Sequence, residues 1–262
     1  MREQRLVFGE VAELYDSARP GYPDALVDDV ISFAGADGPS LRAVEVGAGT
    51  GKATVSFAAR GVEILAIEPS PAMAAVARRN CARFPNVRIE ETSFEDWPAQ
   101  PAAFGLVYSA QAWHWVSPGI RDAKAAQALG PGGALALFWH RVRWQTGPLR
   151  DELDRIYQRL APDLIAQRPT FPGLARNPRD GLVTDEIRKT GLFRDETMRE
   201  YTWSAAFTAD SYTDLLMTQS GHRMLPEERR AELLDGVRAI IAAHGGQIEV
   251  PHAILLALAR RR

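Results

Sequence analysis

Short apolar runs alternate with helical patterns through the first half of the chain, and this alternation is the feature that most limits its fold. The runs LRAVEV, VEILAIE, NVRIE, FGLVYS and ALALFWH cover residues 41–46, 62–68, 86–90, 104–109 and 134–140. Strands separated by helices at this spacing predict an α/β fold, in which a parallel sheet carries helices on both faces. Ligands bind to such sheets at the carboxyl ends of the strands.

The pattern changes after His140. Residues 144–190 combine helical periodicity with several prolines, so we expect a helical cap inserted after the fifth strand. Two further strands are predicted near 194–202 and 252–260. The expected division is therefore an N-terminal lid and core over 1–143, a cap or substrate lobe over 144–190, and a C-terminal part of the core over 191–262.

Composition narrows the class of protein. The chain has 262 residues, of which 46% are hydrophobic, and a net charge of -2. That charge provides no field to attract nucleic acid or an anionic membrane. The single cysteine, Cys81, excludes an intrachain disulfide framework and fits a reducing compartment. We find no signal-peptide pattern and no apolar run long enough to cross a bilayer, so we expect a cytoplasmic protein.

The loop after the first strand reads EVGAGTGK, from Glu45 to Lys52. A Walker A loop would need glycine at Val46 and Ser or Thr at Ala53, so a phosphate-loop interpretation fails at both ends. The dinucleotide fingerprint G-x-G-x-x-G fails at Lys52, where its third glycine should stand. An NAD-type oxidoreductase is therefore weakened as an alternative but stays open.

The pattern E-x-G-x-G-x-G resembles the first motif of class I S-adenosylmethionine (SAM)-dependent methyltransferases. The segment QAWHW, at 111–115, resembles their small-molecule, trans-aconitate methyltransferase-like (methyltransferase type 11) subgroup, and AELYDSARPGYP, at 12–23, resembles their leading segment. The resemblance spans roughly Phe8 to His140. It implies a doubly wound, seven-stranded Rossmann-like sheet whose last strand is antiparallel. It also implies SAM as cofactor, S-adenosylhomocysteine as product and a small-molecule acceptor.

The resemblance also implies roles in cofactor binding. Glu45 would orient the ammonium group of SAM, and Glu68, at the end of the second strand, would accept the ribose hydroxyls. Tyr15 and Arg19 would hold the carboxylate. The adenine would lie against Ser93, Phe94 and Glu95, where serine replaces the acid that is usual in this family. The other expected cofactor-binding residues are Gly47, Ala48, Gly49, Gly51, Pro69, Met73, Ser109, Ala110 and Gln111.

For the acceptor we expect an oxygen nucleophile, with a carboxylate as one form. His114 is the candidate catalytic residue, because it follows the fourth strand beside the expected methyl group. The expected acceptor-contacting residues are Tyr22, Trp113, Trp115, Arg141 and Arg143. Five histidines and one cysteine show no metal-ligand spacing, so no metal is expected. A SAM-binding protein without catalysis stays open as an alternative.

Overall fold

The computed structural model describes residues 11–35, 41–167 and 182–262. Within these residues seven strands form one sheet, in the order β3-β2-β1-β4-β5-β7-β6. The strands are β1 (Arg42–Val46), β2 (Glu63–Ile67), β3 (Val87–Glu90), β4 (Phe104–Ala110), β5 (Leu129–Val142), β6 (Phe193–Thr208) and β7 (Gln247–Arg261). β7 is antiparallel to both of its neighbours, and the other strand pairs are parallel. The predicted Rossmann-like methyltransferase sheet is thereby confirmed.

The helices follow the strands in the alternation that the sequence predicts. In chain order they are α1 (Ala12–Ala18), α2 (Asp24–Phe33), α3 (Lys52–Ala58), α4 (Pro71–Cys81), α5 (Pro118–Ala128), α6 (Pro148–Leu160), α7 (Pro162–Gln167), α8 (Leu182–Lys189), α9 (Ala209–Met217), α10 (Ser220–Arg223) and α11 (Glu227–Ala243). The start of α4 follows its sequence signal, since the Ser70 hydroxyl accepts from the Met73 N–H and Pro71 stands in the first turn.

Apolar side chains bury both faces of the sheet. On the first face, α2 and α3 pack Val27 and Phe57 over the strands, beside Tyr108 and Phe138. On the second face, α5 and α8 cover residues such as Leu137. This double cover explains why the central strands read as continuous apolar runs in the sequence.

The helices after β5 form a cap together with α9 and α11 of the C-terminal stretch, around one apolar core. Leu153 and Tyr157 of α6 pack with Leu216 of α9 and with Leu233 and Val237 of α11. Part of the predicted cap, residues 168–181, lies outside the described residues.

The structure corrects the predicted bounds at several elements. The fifth strand was predicted from residue 134, but the preceding sequence GPGG, at 130–133, already belongs to β5. A register irregularity accommodates it, since Phe104 pairs with Leu129 but Leu106 pairs with Ala134. β6 and β7 are also longer than predicted, and they pair from end to end. The sequence analysis did not predict α2.

Candidate functional site

Three glycines shape the loop between β1 and α3, and each has a positive φ: +74° at Gly47, +59° at Gly49 and +84° at Gly51. A Cβ on Gly47 would lie 2.3 Å from the Cβ of Ala112, and one on Gly51 would lie 3.3 Å from the Cys81 Sγ. A Cβ on Gly49 would have no neighbour within 4 Å. The outer two glycines therefore permit close packing, whereas Gly49 faces open space.

Glu45 is a completely buried carboxylate behind this loop. Its Oε2 atom accepts from the Thr54 hydroxyl at 2.5 Å and from the Tyr108 hydroxyl at 2.9 Å. Its Oε1 atom is buried without a hydrogen-bond partner among the described residues. Burial raises the pKa of Glu45 to about 7, against the effect of the two hydroxyl donors. A cationic ligand group would give Oε1 its missing partner.

Glu68 fixes the same loop from the neighbouring strand. Its Oε2 accepts from the Gly49 N–H at 2.8 Å, and its Oε1 accepts from the Ser70 N–H at 2.9 Å. Burial raises the pKa of Glu68, and the two backbone donors oppose that rise. Each carboxylate oxygen has a second lone pair, so both can still accept from a ligand hydroxyl.

A cavity joins this loop to the ends of β4 and β5. Nine of the predicted site residues line it: Tyr15, Arg19, Tyr22, Glu45, Gly47, Ala48, Gly49, Ala110 and Gln111. Five lining residues were not predicted: Pro20, Thr50, Lys52, Ala53 and His140. The lining combines buried acid, cations and aromatic rings, which suits a ligand with both charged and apolar parts.

The leading segment supplies one wall of the cavity. The Arg19 guanidinium lies 4.9 Å from the centre of the Tyr15 ring and donates to the hydroxyl and carbonyl oxygens of Thr218, at 2.7 and 3.1 Å. Tyr22 stacks on His140 with the ring centres 5.4 Å apart. The N-terminal helix is thus connected to both the cavity and the cap.

The residues predicted to hold an adenine do not line this cavity. Ser93 hydrogen-bonds Asp96, and Glu95 accepts from the backbone N–H and hydroxyl of Ser117 at the start of α5. The Phe94 ring is buried beside Trp97 and Trp113. The side chain of Met73 is buried against Ala12, and Pro69 is exposed at the end of β2.

Ser109, near the end of β4, and Gln111, just after the strand, have different surroundings. Gln111 has φ +64° and lines the cavity, and its Nε2 atom is buried without a hydrogen-bond partner in the described chain. Ser109 donates to the Val46 carbonyl, away from the cavity lining.

The two tryptophans and the histidine that follow form a 3-10 turn, Trp113–Trp115, outside the cavity lining. Trp113 is buried in the core of the second face. His114 is exposed, lies 4.7 Å from the Trp115 ring centre and accepts from the Trp139 indole N–H at 3.4 Å. The structure therefore does not bring His114 together with Glu45, and its catalytic role stays a prediction.

The two predicted arginines lie at the carboxyl end of β5, Arg141 within the strand and Arg143 just after it. Arg143 forms an ion pair with Glu200 of β6 at 3.0 Å, and Arg141 donates to the His140 carbonyl at 3.0 Å. Neither arginine lines the cavity.

Sequence reasoning missed four residues that complete the site. Thr54 and Tyr108 hold Glu45, and Tyr108 is its direct partner in the parallel register of β1 and β4. Register is invisible in the sequence, so that pairing gave no signal. His140 and Lys52 did give one: His140 stands near the carboxyl end of a predicted strand, and Lys52 follows the last glycine of the loop.

Two kinds of feature are absent from the described residues. No group of three or more His, Cys, Asp or Glu side chains could hold a metal ion. None of the described helices has both the length and the hydropathy that crossing a membrane requires.

Comparison with known proteins adds independent findings. The family model described as "Methyltransferase domain" matches residues 43–133. An uncharacterised methyltransferase of Mycobacterium tuberculosis is 30% identical over 243 residues, which cover 93% of this chain and 88% of that relative.

Solved structures agree on the architecture. A proposed type II methyltransferase of Anaeromyxobacter dehalogenans superposes with a TM-score of 0.61 at 22% identity, covering 93% of this chain and 97% of that one. Phosphoethanolamine N-methyltransferase 2 of Haemonchus contortus, solved in complex with SAM, gives 0.56 at 16% identity, covering 97% of this chain and 56% of that one. At these identities the two structures support the fold alone.

Proposed function

The chain belongs to the class I SAM-dependent methyltransferases, and from that premise we propose that it methylates a small-molecule acceptor at an oxygen atom. Its cofactor is SAM. The observation that carries the proposal is that one and the same cavity is lined by Glu45, whose Oε1 is unpaired, and by His140. The cavity thus connects a carboxylate oxygen that suits the cationic methyl donor with ring side chains that suit an acceptor.

The residues of the cavity fit SAM. The buried Oε1 of Glu45 lacks the cationic partner that the ammonium group would provide, and the open space at Gly49 admits a ligand close to the backbone. Glu68 would accept from the ribose hydroxyls, and Arg19 or Lys52 would meet the carboxylate. The bound cofactor supplies a methyl group already activated on a sulfonium.

The protein's own contribution is orientation and exclusion of water. Tyr22 and Gln111 would close the cavity around the acceptor, and transfer in line gains most from a fixed geometry in a dry site. A carboxylate acceptor is already ionised at neutral pH and needs an anion-binding group. A hydroxyl acceptor needs a group that accepts its proton. His114 stays a candidate for that group.

Incubation of the protein with methyl-labelled SAM and a metabolite extract tests the proposal. We expect label in molecules that pass a small-pore filter, and Gly49→Val, which fills the open space, as the inactive control. Mild base separates the two acceptor types, because a methyl ester releases labelled methanol and a methyl ether does not. Retention of all label on protein or nucleic acid would contradict a small-molecule acceptor, and label on nitrogen would contradict an oxygen target.

A carboxylate acceptor makes one further demand. It would need Arg141 or Arg143 to leave its present contacts and bind the anion. If Arg141→Ala and Arg143→Ala both leave the KM for the labelled acceptor unchanged, the carboxylate form of the proposal is excluded.

A further inference from the structure

Four rings form a cluster on the first face of the sheet, next to the cavity. Tyr22 stacks on His140 at 5.4 Å, and Trp203 stacks on His252 at 5.3 Å. Trp203 also lies 5.4 Å from His140, and the two imidazoles are 6.1 Å apart. Since Trp203 and His252 are direct partners in the pairing of β6 and β7, the register of the sheet fixes this half of the cluster.

Both imidazoles have a buried nitrogen without a partner. The Nε2 atoms of His140 and His252 make no hydrogen bond to any described residue. His252 is only 4% exposed. An unpaired buried polar atom costs free energy. Of the two histidines, His140 lines the cavity, so its unpaired nitrogen is the one available to a ligand.

Burial keeps both imidazoles neutral, and charged neighbours add to this effect at His140. Burial lowers the pKa of His140 to about 3, and His252, Arg19 and Arg141 lower it in the same direction. Burial also lowers the pKa of His252 to about 4. The titratable groups around His140 therefore comprise two cations, a second neutral imidazole and the Tyr22 phenol, and a protonated amine would be repelled there.

On the basis of the proposed function, we propose that Tyr22, His140, Trp203 and His252 form the acceptor subsite, and that it takes a flat aromatic hydroxyl compound, a phenol. The ring walls suit a planar apolar body. The Nε2 atom of His140, a residue of the cavity lining, accepts a hydrogen bond from the hydroxyl, and the guanidinium of Arg19, also in the lining, stabilises charge that develops on the oxygen.

The transfer balances with these groups. The phenol oxygen forms a bond to the methyl carbon, and the carbon–sulfur bond breaks with its electron pair remaining on sulfur. The phenol hydroxyl donates a hydrogen bond to Nε2 of His140, and its proton leaves to solvent as the oxygen bonds to the methyl carbon, because the low pKa of His140 keeps the imidazole neutral. His252 stacks on Trp203 and lies next to His140 but outside the cavity lining, so it acts as a positioning residue.

Ligand binding tests this subsite without turnover. The protein, saturated with S-adenosylhomocysteine, is titrated with 4-nitrophenol and 2-naphthol, with the matched carboxylates 4-nitrobenzoate and 2-naphthoate, and with 4-nitrobenzylamine and 2-naphthylmethylamine. We expect at least one phenol to bind tenfold or more tightly than its carboxylate and amine counterparts. Bound nitrophenol should also show an absorbance spectrum shifted from that in solution.

The variant His140→Phe keeps the ring but removes the unpaired nitrogen. It should bind the phenol at least tenfold more weakly while remaining at least as stable as the wild type, and His244→Asn, at the end of α11, should change neither property. Equal binding of carboxylates or amines, no binding by any of the six probes, or unchanged phenol binding by His140→Phe would overturn the subsite. Failure of the labelled-extract experiment would instead remove the proposed function itself.

Discussion

Glu45 shows what the sequence reveals at the scale of a residue and what it conceals. Its place before three glycines is enough to predict a ligand-facing carboxylate. Its burial, its two hydroxyl donors and its unpaired oxygen depend on strand register and on the facing helix, which no local pattern encodes. His140 is a similar case. Its position near a strand end is visible in the sequence, but the proximity of its ring to that of His252 is not.

The raised pKa of Glu45 predicts that the stability of the ligand-free protein depends on pH. The folded state holds a proton up to about pH 7, whereas the unfolded chain releases it near the ordinary value of 4.5. Stability is therefore lost as the pH rises through this window, by up to about 3 kcal/mol at roughly 1.4 kcal/mol per pKa unit. Urea denaturation should show Glu45→Gln gaining stability relative to wild type between pH 5 and pH 8. If the difference in free energy of unfolding between Glu45→Gln and the wild type does not change with pH, the raised pKa is contradicted.

Glu45 and Glu68 should be distinguishable by two ligands. S-Adenosylhomocysteine carries both ribose and amino acid, whereas 5′-methylthioadenosine lacks the amino acid. Glu68→Ala should weaken both by roughly 1.5–3 kcal/mol, because a charge-assisted hydrogen bond to the ribose is lost. Glu45→Gln should weaken only S-adenosylhomocysteine. Calorimetric titration decides, and equal effects of Glu45→Gln on the two ligands would remove Glu45 from the ammonium site.

At the scale of elements, the sequence predicts the strand centres better than the strand ends. The first four strands lie within a residue or two of their predicted bounds, because double-sided burial makes them continuous apolar runs. β7 begins at Gln247 and runs through Pro251, a residue that normally argues against a central strand. Long-range pairing with β6 overrides that local signal, and pairing partners cannot be read from either segment alone.

Gly49 of the glycine loop can be compared with Gly61, which follows α3 and has a similar backbone conformation. Gly49 and Gly61 have φ of +59° and +82°, and a Cβ on either would have no neighbour within 4 Å. Alanine at either position should cost about 1–2 kcal/mol of stability through backbone strain alone. Only Gly49 lines the cavity, so only Gly49→Ala should also weaken SAM binding. Thermal unfolding and calorimetry check the two effects, and matched losses of affinity would mean that strain, not the ligand's path, is responsible.

At the scale of the whole molecule, α1 connects three parts of the structure. It packs Ala12 on Met73 of α4, it leads into Arg19 and Tyr22 at the cavity, and Arg19 reaches Thr218 at the end of α9 in the cap. Occupation of the cavity should therefore stabilise core and cap together. At a ligand concentration of 100 Kd the expected gain is about 2.7 kcal/mol. For a chain of this size that corresponds to a rise in Tm of roughly 5–10 °C.

Substitutions at two arginines should distinguish whether the rise in Tm depends on a charge in the cavity or on the packing of α1. Arg19→Gln removes a cation that lines the cavity, and loss of a charge-assisted contact of about 2 kcal/mol should reduce the rise in Tm with S-adenosylhomocysteine to roughly 2–4 °C at the same ligand concentration. Arg79→Gln removes the exposed pair with Glu13, which ties the same helix to α4 outside the cavity. Because exposed ion pairs contribute little, that variant should keep the full rise. If both substitutions reduce the rise in Tm equally, ligand binding depends on the packing of α1 and not on the charge of Arg19.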